Sequence, residues 1–256
     1  MRQACDAGDG SVKMRSMQLD ALLVDVGGTL VRDDTWMPVP EYRDRMAARV
    51  ALLYGGGEPA WLRDLLRAGF RVEDAPDYEH RVADLVAAFL LERGHRASPE
   101  EVGRICRALA LPLHEVVDVE PDARAALQDA RNLGLRIAIC SNTLWRNDED
   151  SRRDWTELGM ADLIDAFVTS NGTGRAKPHP RIFERALELI DARPDAAVMV
   201  GDQLERDVAG AAALGIRTVW KRPPPHDGRV DPKPDATITT LSELGDVLRR
   251  WMSAGG

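Results

Sequence analysis

The chain has 256 residues, 34 of them basic and 42 acidic, for a formal charge of −8; 44% are apolar and 30% charged. That balance excludes a collagen-like or wholly disordered chain and suits a soluble globular protein with a sizeable core. It also argues against nucleic acid as a partner, because binding phosphate backbones needs clustered Lys and Arg, and no apolar run is long enough to span a membrane.

Residues 1–18 lack the roughly 7–15-residue apolar stretch of a secretory signal and read as a flexible leader. The cysteines, Cys5, Cys106 and Cys140, are odd in number and lack metal-type spacing. That points to a reducing, cytoplasmic setting. Ala21–Val26 is an apolar run closed by Asp25 and a Gly pair, the pattern of a buried parallel strand entering a tight loop. Residues 36–117 contain no convincing strand. Helices are expected at Pro40–Tyr54, Pro59–Ala68, Asp77–Arg93 and Pro99–Ala110, the last opened by a Ser98-Pro99-Glu100-Glu101 capping box.

Strand and helix then alternate. Strands are expected at Leu135–Ser141, Ala166–Thr169, Ala197–Val200, Arg217–Trp220 and Thr237–Ile238. Helices are expected at Pro121–Asn132, Pro180–Ile190, Glu205–Leu214 and Ser242–Trp251. The charged run Asn147–Arg153 reads as a solvated loop or a helix start. Alternation of this kind predicts an α/β fold, a Rossmann-like doubly wound parallel sheet. The expected core is residues 19–35 plus 118–256, with an all-helical domain of 36–117 inserted after the first strand.

In open α/β sheets, ligands sit at the carboxyl ends of the strands. The first strand ends in Asp25, the second in Ser141 and the fourth in Gly201-Asp202. Lys177 follows the third strand, and Asp207 lies five residues beyond Asp202. Lysine is scarce here, with four in the chain. Each feature alone is common, but the set in this order is specific. Asp25-Val-Gly-Gly-Thr29-Leu30, Ser141-Asn142-Thr143, Lys177-Pro-His-Pro and Gly201-Asp202-Gln-Leu-Glu-Arg-Asp207 resemble the four motifs of the haloacid dehalogenase (HAD) superfamily. The resemblance covers roughly residues 19–248.

It implies a Rossmann-like core with a helical cap over the site. Asp25 would attack phosphorus and carry an aspartyl-phosphate. Lys177 would keep Asp25 ionised, and Ser141 would bind a phosphoryl oxygen. Mg²⁺, which prefers oxygen ligands, would be held by Asp25, Asp202 and the Gly27 carbonyl, with Asp207 as an outer partner. Thr29, Asn142, Trp36 and Arg43 are the candidate substrate contacts. The expected partner is a small phosphorylated metabolite, and the expected assembly a monomer or homodimer, without membrane or nucleic acid.

One departure matters. Phosphatases of this superfamily usually carry a second Asp two residues after the nucleophile, as general acid and base, where this chain has Gly27. Such a group is typically worth about 10²–10⁴-fold in rate. Three chemistries fit. One is a Mg²⁺-dependent phosphatase acting on a good leaving group, or borrowing an acid such as His80, His95, His114 or a carboxylate from the inserted domain. The second is 2-haloacid hydrolysis, against which Gly201-Asp202 weighs. The third is a weak or inactive relative that binds a ligand or partner. Phosphonate chemistry through an imine is disfavoured, because residues 32–140 contain no Lys. Trp36 is as well suited to packing the hinge as to touching substrate. Arg43, Arg45 and His80 fit an anion contact or a solvated helix face. Trp145 and Arg146, just past Ser141, are unexpected in such a loop. Cys140, inside a strand, is assigned no catalytic role.

Overall fold

The computed structural model describes residues 19–73, 79, 81–223 and 230–253. The expected leader and His80 lie outside them. Six strands form one parallel sheet in the order β3-β2-β1-β4-β5-β6. They are β1 (Ala21–Val24), β2 (Arg136–Ser141), β3 (Ala166–Thr169), β4 (Ala197–Gly201), β5 (Arg217–Lys221) and β6 (Ala236–Ile238). Sequence order reverses at β1 and β4, and at such a switch point the strand ends leave a crevice between diverging connections.

The sheet is apolar on both faces because helices cover both. Leu22, Val24, Ile137, Ile139, Val198 and Val200 face one side, with α5 (Ala123–Asn132) and α10 (Leu244–Ser253). Leu23, Ala138, Cys140 and Met199 alternate to the other, against α8 (Pro180–Leu189). Burial pushes the Cys140 thiol up to about 12, so it is an inert packing group.

Among the described residues, four α-helices lie between β1 and α5: α1 (Val39–Leu53), α2 (Leu62–Glu73), α3 (Val82–Glu92) and α4 (Pro99–Leu109). The Ser98 hydroxyl caps α4 by accepting from the Glu101 amide. Helix α2 begins later and runs further than expected, so Phe70 and Glu73 fall on its last turn. The start expected for α3, at Asp77, lies outside the described residues. Where the chain leaves and re-enters the core, its two passes pair. Val31 bridges Val119 in antiparallel fashion, and the Met37 amide donates to the Val116 carbonyl at 2.7 Å. Gly69 lets α2 lie directly on the Trp145 ring, where any Cβ would collide.

The charged run after β2 is the helix start, with Glu149 and Arg152 exposed and Asp150 and Ser151 buried. It opens α6 (Asp148–Glu157), capped reciprocally by Asn147 and Asp150. Its charges are used internally. Asp148 Oδ1 accepts from the Thr169 amide and hydroxyl, both at 2.8 Å, and buried Asp154 accepts from Arg146 Nε at 3.0 Å. The helix expected at Glu205–Leu214 is instead a π turn, Leu204–Ala209, running into α9 (Gly210–Ala212), after the short α7 (Ser170–Thr173) and α8 earlier in the chain. A π turn inserts one extra residue per turn and so re-aims the side chains it carries.

Candidate active site

Strand β1 stops one residue short of Asp25. The chain then turns around the Val26 carbonyl, which accepts from the amides of Thr29, Leu30 and Val31. This turn needs Gly28 twice over: its φ is +64°, and a Cβ would run into the carboxylate of Asp202. Lys221, at the end of β5, donates to the Gly28 carbonyl at 2.8 Å and to Glu120 Oε1 at 2.7 Å, pinning the turn. Sequence reading missed Lys221; the scarcity of lysine was its one signal.

The residues singled out along the sequence meet here. Lys177 is buried, and its Nζ donates to Asp25 Oδ1 and Asp207 Oδ1, each at 2.6 Å. Thr29 Oγ1 donates to Asp25 Oδ2 at 3.1 Å. Asp207, on the π turn, also accepts from the Gln203 amide at 3.0 Å and packs on Gly201, where a Cβ would collide with it. Asn142 brackets the Lys177 backbone: its Oδ1 accepts from the Lys177 amide at 2.7 Å and its Nδ2 donates to the carbonyl at 3.0 Å.

Charge does not balance in this cluster. Carboxylate oxygens of Asp25, Asp202 and Asp207 lie within 4.8 Å of one another. A single ammonium, Lys177, touches two of them. Burial, and then the charges of Asp25 and Asp207, push the Asp202 carboxyl well up. Burial raises Asp207 too, against the pull of Lys177. Burial acts to lower Lys177, but Asp207 and Asp25 outweigh it and hold the ammonium above its usual range. Asp202 Oδ1 is buried with no hydrogen-bond partner. An unmet oxygen in an all-oxygen, acid-rich cluster is the donor set of a hard divalent cation, so the residues present fit Mg²⁺.

Two expected substrate contacts are reassigned. Thr29 is fully buried and holds Asp25, so it positions that carboxylate. Arg43 does not line the crevice; its guanidinium lies over the Phe70 ring at 4.7 Å. Arg45 pairs with Glu41 and Glu115 on the surface. His95 packs beside Trp61, and His114 sits 3.3 Å from Glu157. Neither histidine reaches the crevice.

Above the strand ends is a chamber of about 280 Å³. Gly27, Ser141, Asn142 and Thr143 line it from the sheet, and Trp36 from the connection to α1. Tyr42, Phe70 and Glu73 contribute from α1 and α2, and Trp145, Arg146, Asp154 and Trp155 from the β2–α6 segment. Arg146 is buried and already engaged: Nε to Asp154, Nη2 to the Leu111 carbonyl at 2.9 Å, and the Tyr42 hydroxyl. The lining from α1, α2 and α6 had no signal along the chain, since each residue there is an ordinary helix position.

Comparison with known proteins identifies the family. The family model of haloacid dehalogenase-like hydrolases matches residues 19–215. The chain belongs to that family. Within it, the chain is 34% identical over 142 residues to the ribulose-1,5-bisphosphate 5-phosphatase of Halopiger xanaduensis, covering 52% of this chain and 58% of the relative. It is 29% identical over 187 residues to the phosphoserine phosphatase of Thermus thermophilus, covering 72% and 66%. The chain thus spans a little over half to about two thirds of the length of these HAD relatives. Among solved HAD structures, the 2-haloacid dehalogenase of Pseudomonas syringae superposes with a TM-score of 0.64 at 25% identity, over 91% of this chain and 100% of that one. A HAD phosphatase from Thermococcus onnurineus superposes at 0.57, with 24% identity, over 90% and 98%; at that identity it speaks for the fold.

Proposed function

We propose that this HAD-family chain removes a phosphoryl group from a small metabolite, with Asp25 as nucleophile and Mg²⁺ as cofactor. The observation that carries the reading is the convergence of Asp25, Lys177, Asp202 and Asp207 at the switch point, with Asp202 Oδ1 buried and unmet. The curated relatives named as phosphatases support it. Asp25 forms the new bond to phosphorus as the leaving oxygen departs with the electron pair of the broken one; water then attacks phosphorus and returns the carboxylate. Thr29 and Lys177 fix the two Asp25 oxygens, and Asn142 fixes Lys177 through its backbone. Ser141, beside the crevice, donates to a phosphoryl oxygen. Asp25, Asp202 and the Gly27 carbonyl would hold Mg²⁺, with Asp207 as outer partner; bound there, the ion neutralises charge on the transferring group. The helical insertion closes over the strand ends as a cap.

Two measurements test this. Mg²⁺ should raise the Tm of the wild-type protein, by about 2.7 kcal/mol of stabilisation at a hundred times its Kd. Asp202→Asn should lose that rise, and chelation should stop phosphate release. A wild-type Tm indifferent to Mg²⁺ would overturn the assignment. Gly27→Asp is the second. A Cβ at Gly27 meets nothing within 4 Å, so an Asp can be introduced there without a clash at its Cβ. Hydrolysis of an alkyl phosphate such as glycerol 3-phosphate should rise by at least about tenfold, part of the 10²–10⁴ such groups supply. An unchanged rate sinks the diagnosis of a missing acid.

The likeness to the 2-haloacid dehalogenase favours a second reading, hydrolysis of 2-haloacids. Halide release from 2-chloropropionate in chelator, with no phosphate release from any ester, would establish it in place of the first.

A further inference from the structure

The chamber beside Gly27 has a chemical character of its own. Its walls are mainly apolar, and five aromatic rings stand among them, Trp36, Tyr42, Phe70, Trp145 and Trp155, with the polar groups Ser141, Asn142 and Thr143 on the sheet side. Phe70 meets Tyr42 edge-on at 5.8 Å and Trp145 at 5.3 Å, so the rings form a continuous surface. Among the described residues its one lining guanidinium, Arg146, is spent on Asp154, the Leu111 carbonyl and Tyr42. Glu73 adds a second carboxylate to the lining. A ligand carboxylate or second phosphate placed there would find no unengaged cation among the described lining residues. A flat apolar group needs no such cation and gains by burial against the rings. The volume, near the lower end of ligand sites at roughly 300–1,000 Å³, fits one ring.

The second observation is independent. Gly27, which lines this chamber, stands where a general acid is expected. A leaving group lodged there receives no proton from that position, and a group that departs as a stable anion needs none. Phenols and carboxylic acids depart that way; simple alcohols do not.

Resting on the phosphatase reading above, we propose that the substrate is a phosphate ester or anhydride of an aromatic, acidic hydroxyl: an aryl phosphate or an aromatic acyl phosphate, with its ring in the chamber. In the reaction the Asp25 carboxylate bonds to phosphorus and the P–O bond to the aromatic group breaks. The aryloxide or carboxylate departs with that electron pair, unprotonated. Water then cleaves the aspartyl-phosphate to inorganic phosphate, returning the carboxylate and releasing a proton to solvent.

Two matched pairs test the chamber separately from the chemistry. Benzylphosphonate and methylphosphonate share a head group and cannot be hydrolysed. By calorimetry with Mg²⁺ present, the benzyl compound should bind at least about tenfold tighter. That preference should shrink severalfold in Trp36→Ala and in Phe70→Ala. Benzoyl phosphate and acetyl phosphate have leaving groups of similar acidity, so their kcat/KM ratio reads the ring alone. It should favour benzoyl by about tenfold or more. Equal binding of the two phosphonates overturns the proposal, as does tighter binding of phosphocholine or phosphoglycolate than of benzylphosphonate. A benzyl preference untouched by Trp36→Ala overturns it too. Should neither acyl phosphate be turned over while the benzyl preference holds, the phosphatase reading fails and the ring site stands.

Discussion

Asp25→Asn should remove phosphate release from acetyl phosphate and aryl phosphates by on the order of 10⁴-fold or more, the scale seen when a covalent nucleophile is lost. The substitution is nearly isosteric; its one amide oxygen can accept from Lys177 and its amide nitrogen can donate to Thr29 Oγ1, so the fold should be preserved. It also removes one of three crowded carboxylates. The Tm in metal-free buffer should therefore hold or rise while activity disappears. That pairing separates chemistry from stability: a general packing defect would lower both. Phosphate release across a panel of esters, read beside thermal unfolding, provides the check. Wild-type turnover by the variant would end the aspartyl-phosphate mechanism.

Lys177→Met should carry the largest stability cost of any single change at the site. The ammonium is buried and bridges Asp25 and Asp207 at 2.6 Å each. Removing one partner of a buried ionic cluster typically costs about 3–5 kcal/mol, because uncompensated charge is left in a poor dielectric. Here two carboxylates would be left facing each other beside a third. Denaturant unfolding of the metal-free protein should show the loss, and Mg²⁺ should recover part of it by supplying the missing positive charge. Combined with Asp25→Asn, the loss should be clearly smaller than the sum of the two single effects, since the residues share one network. Strict additivity would mean that Lys177 acts elsewhere. Activity should vanish in Lys177→Met with or without the ion.

Much of the fold was legible along the chain because its signals are local. A buried parallel strand must be apolar on both faces, and β1, β2 and β4 are short continuous apolar runs. The Ser98 cap of α4 and the proline at the start of α8 work within a single turn of backbone. The four polar strand ends were legible for a related reason: sheet topology brings successive carboxyl ends to one edge, so Asp25, Ser141 and Asp202 had to be neighbours once the sheet was parallel.

Other features depended on partners remote in sequence. The run Asn147–Arg153 looks solvated because seven polar residues in a row carry no apolar stripe. Yet Asp148 is taken up by Thr169 and Asp154 by Arg146, and burial is set by those partners. Arg43 looked like an anion contact until Phe70, 27 positions along, covered its guanidinium. Thr29 looked like a ligand contact until its hydroxyl met Asp25.

From its residues alone, this protein has its HAD-like sheet, its strand-end carboxylates, its lysine and the gap at Gly27, since all of these follow from short motifs and local patterning. Only the folded chain decides what stands in front of them. The aromatic chamber is assembled by α1, α2 and α6 from positions up to about a hundred residues apart, and whether Arg146 is a free anchor or a neutralised one depends on Asp154, Tyr42 and a carbonyl at Leu111. Contacts between distant segments leave no periodic trace in a sequence, because packing selects shape and charge at each place independently.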